Sequence, residues 1–229
     1  MSTPILLVLG SGPRIGASIA ASFANDGYHV ALASRKGTDT RTDEGYLSIR
    51  ADLATLESIP GVFDAVKTEF GAAPSVVVYN VAVLRVPPDE HDLFCIPVEG
   101  VIADVNIMAI SSYVAAQEAI RGWMTLPAEM KKTFICTGNC TNTKILPEAM
   151  FMTLGMGKAA LAYWVGVADK NAPTNCRFFY ADERHENGKN KGLDVDGPAH
   201  GEFYPYLVKH EGNLPWHVTF VKGKGYVKF

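Results

Sequence analysis

Residues 4–16, PILLVLGSGPRIG, pass from an apolar run into a glycine turn, and an alanine-rich helical pattern follows as far as Gly27. A continuously apolar run is typical of a buried parallel strand. Glycines placed directly after it allow backbone amides to approach a phosphate group closely. The next helix would point its free amide groups and the positive end of its dipole at the same place. This stretch therefore predicts a strand–turn–helix unit that binds a dinucleotide.

The rest of the chain repeats this alternation of short apolar strands and amphipathic helices, without a linker, an internal repeat or a low-complexity segment. Strands that alternate with helices predict a parallel sheet covered by helices on both faces. We expect one α/β domain over residues 1–229, a doubly wound, Rossmann-like sheet of about seven strands in three layers. The predicted strands are Ile5–Leu9, His29–Ser34, Tyr46–Ala51, Ser75–Tyr79, Thr133–Thr137, Cys176–Tyr180 and His217–Val221, and the later helices are 60–70, 98–123 as one or two helices, and 150–169.

Residues 182–213 differ in texture from the rest, because they mix glycine, proline, histidine and charged residues with little periodicity. The segment is predicted as a long loop or flap, and loops of this length inside compact domains are usually functional or disordered. With Tyr204, Tyr206 and Trp216 close by, such a flap would line the mouth of a pocket and suit a bulky organic substrate.

The bulk composition bounds the possible partners and the location of the protein. The chain is 48% hydrophobic, carries a formal net charge of -3 and scatters its basic residues, so nothing favours a nucleic-acid or membrane-surface partner. The apolar start is too short for a signal peptide and lacks a basic leader, and no later run is predicted to span a membrane. We expect a cytoplasmic protein that acts on a small molecule.

The four cysteines lie mostly in apolar, strand-like contexts, which favours reduced core thiols over a disulfide framework. Cys136 and Cys140 lack a second cysteine pair or histidines at ligand spacing. No metal site is predicted.

Several segments together resemble the short-chain dehydrogenases and reductases, in order and in spacing, from Pro4 to about Tyr180. The glycine turn is similar to the family's Thr-Gly-x-x-x-Gly-x-Gly, with Arg14 in place of the middle glycine. Residues 79–82 resemble the family's Asn-Asn-Ala-Gly strand end, residues 104–106 its helix asparagine segment, and residues 158–161 the sequence that begins with its active-site lysine. The resemblance implies a nicotinamide cofactor and a homodimer or homotetramer. Cofactor-binding residues are expected to be Gly10, Gly12, Arg14, Ile15, Gly16, Ser34, Arg35, Asp52, Leu53, Asn80, Val81, Ala82 and Lys158.

The charges at the end of the second strand predict which cofactor is preferred. A site for NAD places an acidic residue there to bind the free ribose hydroxyls, whereas a 2'-phosphate requires cations. Ser34, Arg35 and Lys36 offer a hydroxyl and two cations, and Arg14 adds a third. Arg35 is the favoured phosphate ligand. Surface solubility explains the presence of Lys36 equally well. NADP(H) is the predicted cofactor.

The sequence departs from the family at the residues that carry its chemistry. A tyrosine four residues before the lysine transfers a proton in the family, but here that position is Leu154. The family's serine corresponds to Gly138 or Asn139, with Thr141 a less favoured substitute. After the sixth strand, Ala181-Asp182 stands where the family usually has Pro-Gly. The resemblance gives Lys158 the ribose contacts, Asn106 a water or backbone link to Lys158, and Asn139 a contact to a carbonyl group.

Three functions are consistent with this departure. The protein is a reductase with a proton donor from elsewhere, a hydride-transfer enzyme whose acceptor is an iminium ion or an activated alkene, or a non-redox isomerase, cyclase or binding protein on the same fold. Positioned proton transfer contributes roughly a hundred- to ten-thousand-fold in rate, so an ordinary ketone reduction needs a replacement for the tyrosine. The candidate replacements are Tyr180, Asp182, His185, His200 and Tyr204.

Overall fold

The computed structural model describes residues 3–229 and places nine strands of this range in one sheet. Seven of them are parallel, and the two-residue strands β3 and β9 add an antiparallel edge on either side. The strand order is β3-β4-β2-β1-β5-β6-β7-β8-β9. The predicted doubly wound α/β fold is confirmed. The strands are β1 (Ile5–Leu9), β2 (His29–Ser34), β3 (Thr40–Arg41), β4 (Leu47–Arg50), β5 (Val76–Tyr79), β6 (Lys132–Thr137), β7 (Cys176–Glu183), β8 (His217–Val221) and β9 (Gly225–Tyr226).

The order in which strands are added to the sheet reverses at β1, which pairs with β2 on one side and with β5 on the other. In open parallel sheets, a crevice forms at such a reversal, outside the carboxyl ends of the strands. All five residues of β1 are buried, because helices cover both faces of the sheet. This crevice is where the fold places a ligand.

The helices divide into two layers. Helices α2, α4 and α5 pack on one face of the sheet, and α1 and α6 pack on the other. Alternate residues of β7 follow this division, since Phe178 and Tyr180 pack with the first layer, and Phe179 and Ala181 with the second. The helices are α1 (Ile15–Asn25), α2 (Ser58–Phe70), α3 (Val98–Val105), α4 (Ser111–Trp123), α5 (Met152–Asn171) and α6 (Gly197–Leu207).

The prediction of a long loop over residues 182–213 is wrong for much of this segment. Strand β7 continues to Glu183, a short 3-10 turn spans Gly192–Asp194, and α6 follows. The sequence pattern did not predict α6, because its glycines and prolines are poor helix formers. Tertiary packing compensates: a Cβ atom at Gly201 would lie 2.8 Å from the backbone oxygen of Ser18, so the glycine lets α6 pack directly on α1.

Two helical stretches are long and apolar enough to cross a membrane by length and composition, contrary to the prediction that no such run exists. The first, Val98–Trp123, has a mean hydropathy of 1.3 and joins α3 to α4 through a π-helical turn at Asn106–Ile110. The second, Ala149–Asn171, contains α5. Packing explains part of their apolar character, because Ala115 and Leu161 are fully buried against the sheet, but only 33% and 44% of the two apolar windows are buried.

Candidate functional site

A cavity of about 610 Å³ opens at the carboxyl ends of β5, β6 and β7, next to the start of α1. One part of its wall is polar and comes from the glycine turn, Lys158 and the chain after β7. The other part is apolar and comes from α5 and the loops before it. The lining residues are Arg14, Ile15, Asn80, Val81, Ala82, Leu84, Thr137, Gly138, Asn139, Thr141, Leu146, Met150, Phe151, Leu154, Lys158, Glu183, Asn190, Lys191, Gly192, Leu193 and Val195.

The glycine turn is closely packed on one side and open on the other. Gly10 has a φ angle of +86°, and a Cβ atom there would lie 2.7 Å from the Cγ2 atom of Val81. Gly16 meets the Cα atom of Ser11 in the same way, at 2.8 Å. A Cβ atom at Gly12 would meet no atom within 4 Å, so this side of the turn is open to a ligand. The turn fits the backbone approach to phosphate that the sequence predicts.

Helix α1 begins beside this opening without a side-chain cap. The Ala17 amide donates to the Gly12 carbonyl at 3.0 Å, whereas the amides of Ile15 and Gly16 have no partner within the helix and are available to an anion. Arg14 occupies the N-cap position, and its Nη1 atom donates to the backbone oxygen of Leu193 at 3.2 Å. The guanidinium group therefore bridges the glycine turn and the segment after β7. These donors fit the diphosphate of a dinucleotide.

Lys158 is held at the base of the cavity by two backbone carbonyl groups. Its Nζ atom donates to the Thr137 oxygen at 2.7 Å and to the Val81 oxygen at 3.0 Å. The side chain is buried, and burial lowers the pKa of Lys158 to about 8. A protonated ammonium group has three hydrogens, so one donor remains for a ligand in the cavity.

The strand end after β5 connects this lysine to the glycine turn. The Nδ2 atom of Asn80 donates to the Gly10 oxygen at 3.1 Å, and its backbone amide donates to Leu9. The next residue, Val81, supplies one of the two carbonyls that hold Lys158. The structure thus brings together the predicted group of Gly10, Asn80, Val81, Ala82 and Lys158.

The residues predicted for the adenosine end lie outside the cavity, at the carboxyl ends of β2 and β4. Arg35 and Asp52 are exposed, and the Oδ1 atom of Asp52 accepts the Ala54 amide at 3.1 Å. Ser34 is partly buried and Leu53 is buried in the core. Because β2 pairs in parallel with both β1 and β4, the carboxyl ends of β2 and β4 lie at the same end of the sheet as the glycine turn after β1.

The end of β6 shows why the family's serine has no simple counterpart. A Cβ atom at Gly138 would lie 2.2 Å from the Cε1 atom of Tyr180, so the tyrosine ring fills the space that a side chain would need. The Oδ1 atom of Asn139 accepts from the amide and hydroxyl of Thr141, at 3.0 and 2.6 Å. Only the Nδ2 group of Asn139 is left as a donor toward the cavity.

Asn106 lies at the start of the π-helical turn and does not line the cavity. Its Nδ2 atom is 3.5 Å from the backbone oxygen of Ala54, and the direct partners of the Lys158 ammonium are the carbonyls of Val81 and Thr137. The link from Asn106 to Lys158 stays a prediction.

None of the five predicted proton donors lines the cavity in the described part of the chain. The Tyr180 hydroxyl bonds to the Asn139 backbone, and the buried Tyr204 hydroxyl donates to the Oγ1 atom of Thr137 at 2.9 Å. Asp182 is paired with Arg184 in the core. The His200 ring bonds the Asp196 carbonyl, and His185 is 3.9 Å from Asp194.

The aromatic mouth predicted from the sequence is also wrong. Tyr204 is fully buried, Tyr206 lines a separate surface groove, and the Trp216 ring packs over Gly166. Helix α6 turns Tyr204 toward the sheet. Apolar side chains line the cavity instead, including Leu84, Leu146, Met150, Phe151 and Leu154.

Glu183 and Lys191 line the cavity and were not anticipated. Their charged atoms are 3.2 Å apart, and burial raises the pKa of the Glu183 carboxyl. The two-residue period of a strand could have indicated that Glu183 faces the cavity, because it lies two residues beyond the apolar Ala181 and continues the same face of β7. Nothing in the local sequence indicated that Lys191 folds back onto it.

The parallel crossover, the open glycine turn and the anchored lysine define a Rossmann-like α/β protein with a crevice at the carboxyl ends of its strands. No protein-family model matches the sequence. The chain is 37% identical over 240 residues to the short chain dehydrogenase/reductase dmxR12 of Cryptosporiopsis sp. (strain 8999), with 100% of this chain and 96% of that protein covered. This chain therefore belongs to the short-chain dehydrogenases/reductases.

Solved structures support the same fold at lower identity. A Burkholderia cenocepacia J2315 short chain dehydrogenase in complex with NADP has a TM-score of 0.73 and 19% identity, covering 98% of both chains. A Serratia marcescens BCRC 10948 short-chain dehydrogenase/reductase has a TM-score of 0.71 and 18% identity, covering 97% of both. The 3-oxoacyl-[acyl-carrier protein] reductase of Brucella melitensis in complex with NAD has a TM-score of 0.67 and 18% identity, covering 81% of this chain and 74% of that one.

Proposed function

We propose that the protein is an NADP(H)-dependent reductase that acts on a small or medium apolar organic substrate bearing a carbonyl, an imine or an activated alkene. The observation that carries this proposal is Lys158, which is fixed by two carbonyls in a cavity continuous with the glycine turn. The bound cofactor would supply a hydride. The chain's own residues bind and orient the two reactants and exclude water from them.

The division of labour within the cavity follows from its lining. The glycine turn and Arg14 would hold the diphosphate, and the free donor of Lys158 would hold the nicotinamide ribose. The apolar wall around Leu146, Phe151 and Leu154 would receive the substrate and shield the reacting atoms from water. The described cavity lining contains no tyrosine or histidine, and its one carboxyl, Glu183, is paired with Lys191, which favours an acceptor that needs little acid assistance.

The experiment that tests this function follows the isotope from the cofactor. In a single turnover with NADPH deuterated at C4, we expect deuterium in the product, because hydride transfer moves the label directly. Candidate acceptors are a simple ketone, a cyclic iminium ion and an activated alkene. Product formed at the same rate with NADP+ or with no cofactor would instead support the isomerase or cyclase alternative, which the missing tyrosine keeps open.

NADP(H) preference is proposed from the cations bordering the crevice. Replacing Arg35 with alanine is expected to weaken NADPH binding about tenfold and leave NADH binding nearly unchanged, because one charge-assisted hydrogen bond to the 2'-phosphate is lost. Isothermal titration of both cofactors measures the two changes. Lys67, an exposed lysine near the end of α2, is the matched control, and its alanine variant should bind as wild type. Near-equal wild-type affinities for NADPH and NADH would contradict the preference.

We also propose a soluble, cytoplasmic homodimer or homotetramer. Apolar side chains remain exposed along α3, the π-helical turn, α4 and α5, which suits a helical interface between subunits. Light scattering of the purified chain would give its mass, and a monomer at micromolar concentration would oppose this assembly. The exposed residues are Ile102, Ile110, Tyr113, Ile120, Tyr163 and Val167.

A further inference from the structure

Glu183 is a buried acid whose polar atoms are only partly satisfied. Its Oε2 atom accepts the backbone amide of Asp196 at 2.7 Å, whereas its buried Oε1 atom has no partner in the described structure other than the Lys191 ammonium, 3.2 Å away. The side chain is 1% exposed and lines the cavity. A buried carboxylate oxygen without a donor is unfavourable unless a positive charge or a ligand compensates it.

Glu183 and Lys158 reach the cavity from opposite faces of the sheet. Glu183 follows Ala181 on the face of β7 that packs against α1 and α6, and it lines the cavity, as Ile15 does. Lys158 reaches the cavity from α5, on the opposite face of the sheet. A nicotinamide ring that enters between them would have Lys158 on one side and Glu183 on the other.

Several titratable groups lie around Glu183. Lys191 lies 3.2 Å from Oε1, and its side chain is 15% exposed. The Nδ1 atom of His200 on α6 is 3.7 Å from Oε2, but burial lowers the pKa of His200 to about 4, so this ring is neutral. The Asp196 carboxylate forms an ion pair with Lys222, whose Nζ atom is 2.7 Å from Oδ2. Arg14 and Lys158 are the other cations of the cavity wall.

Building on the function proposed above, we propose that Glu183 and Lys191 set the relative affinity of the site for oxidised and reduced cofactor. The oxidised nicotinamide ring carries a positive charge, the reduced ring is neutral, and the rest of the cofactor is identical. The Glu183 carboxylate attracts the charged ring, and the Lys191 ammonium repels it. A site that favours the oxidised ring promotes hydride departure and hence the direction of reduction.

The test compares the dissociation constants of NADP+ and NADPH in two variants. Glu183→Gln keeps an oxygen for the Asp196 amide but removes the charge, and it is expected to weaken NADP+ binding about tenfold relative to NADPH. Lys191→Met removes the opposing charge and is expected to shift the same ratio in the other direction. Isothermal titration at one fixed pH for all variants measures both constants. Lys189→Met is the control, since Lys189 is exposed two residues away and does not line the cavity.

The ratio separates an electrostatic role from a structural one. A change of shape in the chain after β7 would weaken NADP+ and NADPH equally, and an equal loss in both variants would overturn the proposal. So would a ratio that stays at the wild-type value in both. If wild-type protein binds neither cofactor, the function proposed above fails as well, and that result is distinct from an unchanged ratio.

Discussion

Replacing Lys158 with methionine is expected to slow hydride transfer about a hundredfold to a thousandfold. Methionine has a similar length but cannot donate to the carbonyls of Val81 and Thr137 or to a ligand. The variant therefore removes the charge at the base of the cavity and frees the two strand ends that Lys158 holds together. Single-turnover kinetics with saturating NADPH measure the chemical step, and titration measures cofactor affinity separately.

Lys170→Met is the matched control, because Lys170 is exposed in the last turn of the same helix. It should retain the wild-type rate. A folded Lys158→Met variant whose rate stays within about threefold of wild type would contradict the role given to Lys158. Near-ultraviolet circular dichroism establishes that the variant is folded, since Lys158 also holds the ends of β5 and β6 together.

The pH dependence of rate and stability provides a second readout of Lys158. Its pKa is lowered to about 8 by burial, so in the folded chain the amine loses its proton near that pH. The rate should fall above about pH 8, because the neutral amine keeps two hydrogens for the carbonyls and loses the donor for the ligand.

Stability should move in the opposite direction. In the unfolded chain Lys158 stays protonated to about pH 10.4, so unfolding takes up a proton between these pH values and the free energy of unfolding rises with pH. Urea titrations of wild type and of Lys158→Met isolate this contribution as their difference. A difference that is flat from about pH 8 to 10 would contradict the lowered pKa.

The fold was readable from the sequence because its strongest signals are local. The run Ile5–Leu9 is apolar throughout since β1 is buried on both faces, and Gly71 ends α2 in a left-handed conformation that glycine adopts freely. Helix α6 gave no such signal. Its glycines serve contact with α1, and the local signs of its start are the N-cap Asp196 and Pro198 in its first turn.

The sequence predicted those site residues that contact backbone groups fixed by the sheet. It predicted the other site residues less well. Lys158, Asn80 and Gly10 meet because parallel strands end at the same edge. The pair of Glu183 and Lys191 depends on how far β7 extends and on how the chain folds back after it. The predicted proton donors failed because of side-chain direction. The packing of α6 turns Tyr204 into the core, and the position of this residue in the sequence does not reveal that direction.

Replacing Leu154 with tyrosine is expected to raise the reduction of an unactivated ketone about a hundredfold. Leu154 lies one helical turn before Lys158, and both residues line the cavity. A phenol at this position would supply a tyrosine-type proton donor, which the described cavity lining lacks, and the nearby ammonium would lower its pKa. The cavity beside Leu154 leaves room for the larger side chain. Stopped-flow oxidation of NADPH with a simple ketone measures the gain.

Leu154→Phe is the control, because it adds the same ring without the hydroxyl. A phenylalanine variant no faster than wild type, beside a faster tyrosine variant, would attribute the gain to the proton donor. The rate of the tyrosine variant should then show a further fall as pH rises through the pKa of the new phenol, beyond the fall that Lys158 produces in both proteins. Equal rates for the two variants would mean that residue 154 does not face the reacting carbonyl, and the absence of a tyrosine there would no longer account for the chemistry of this chain.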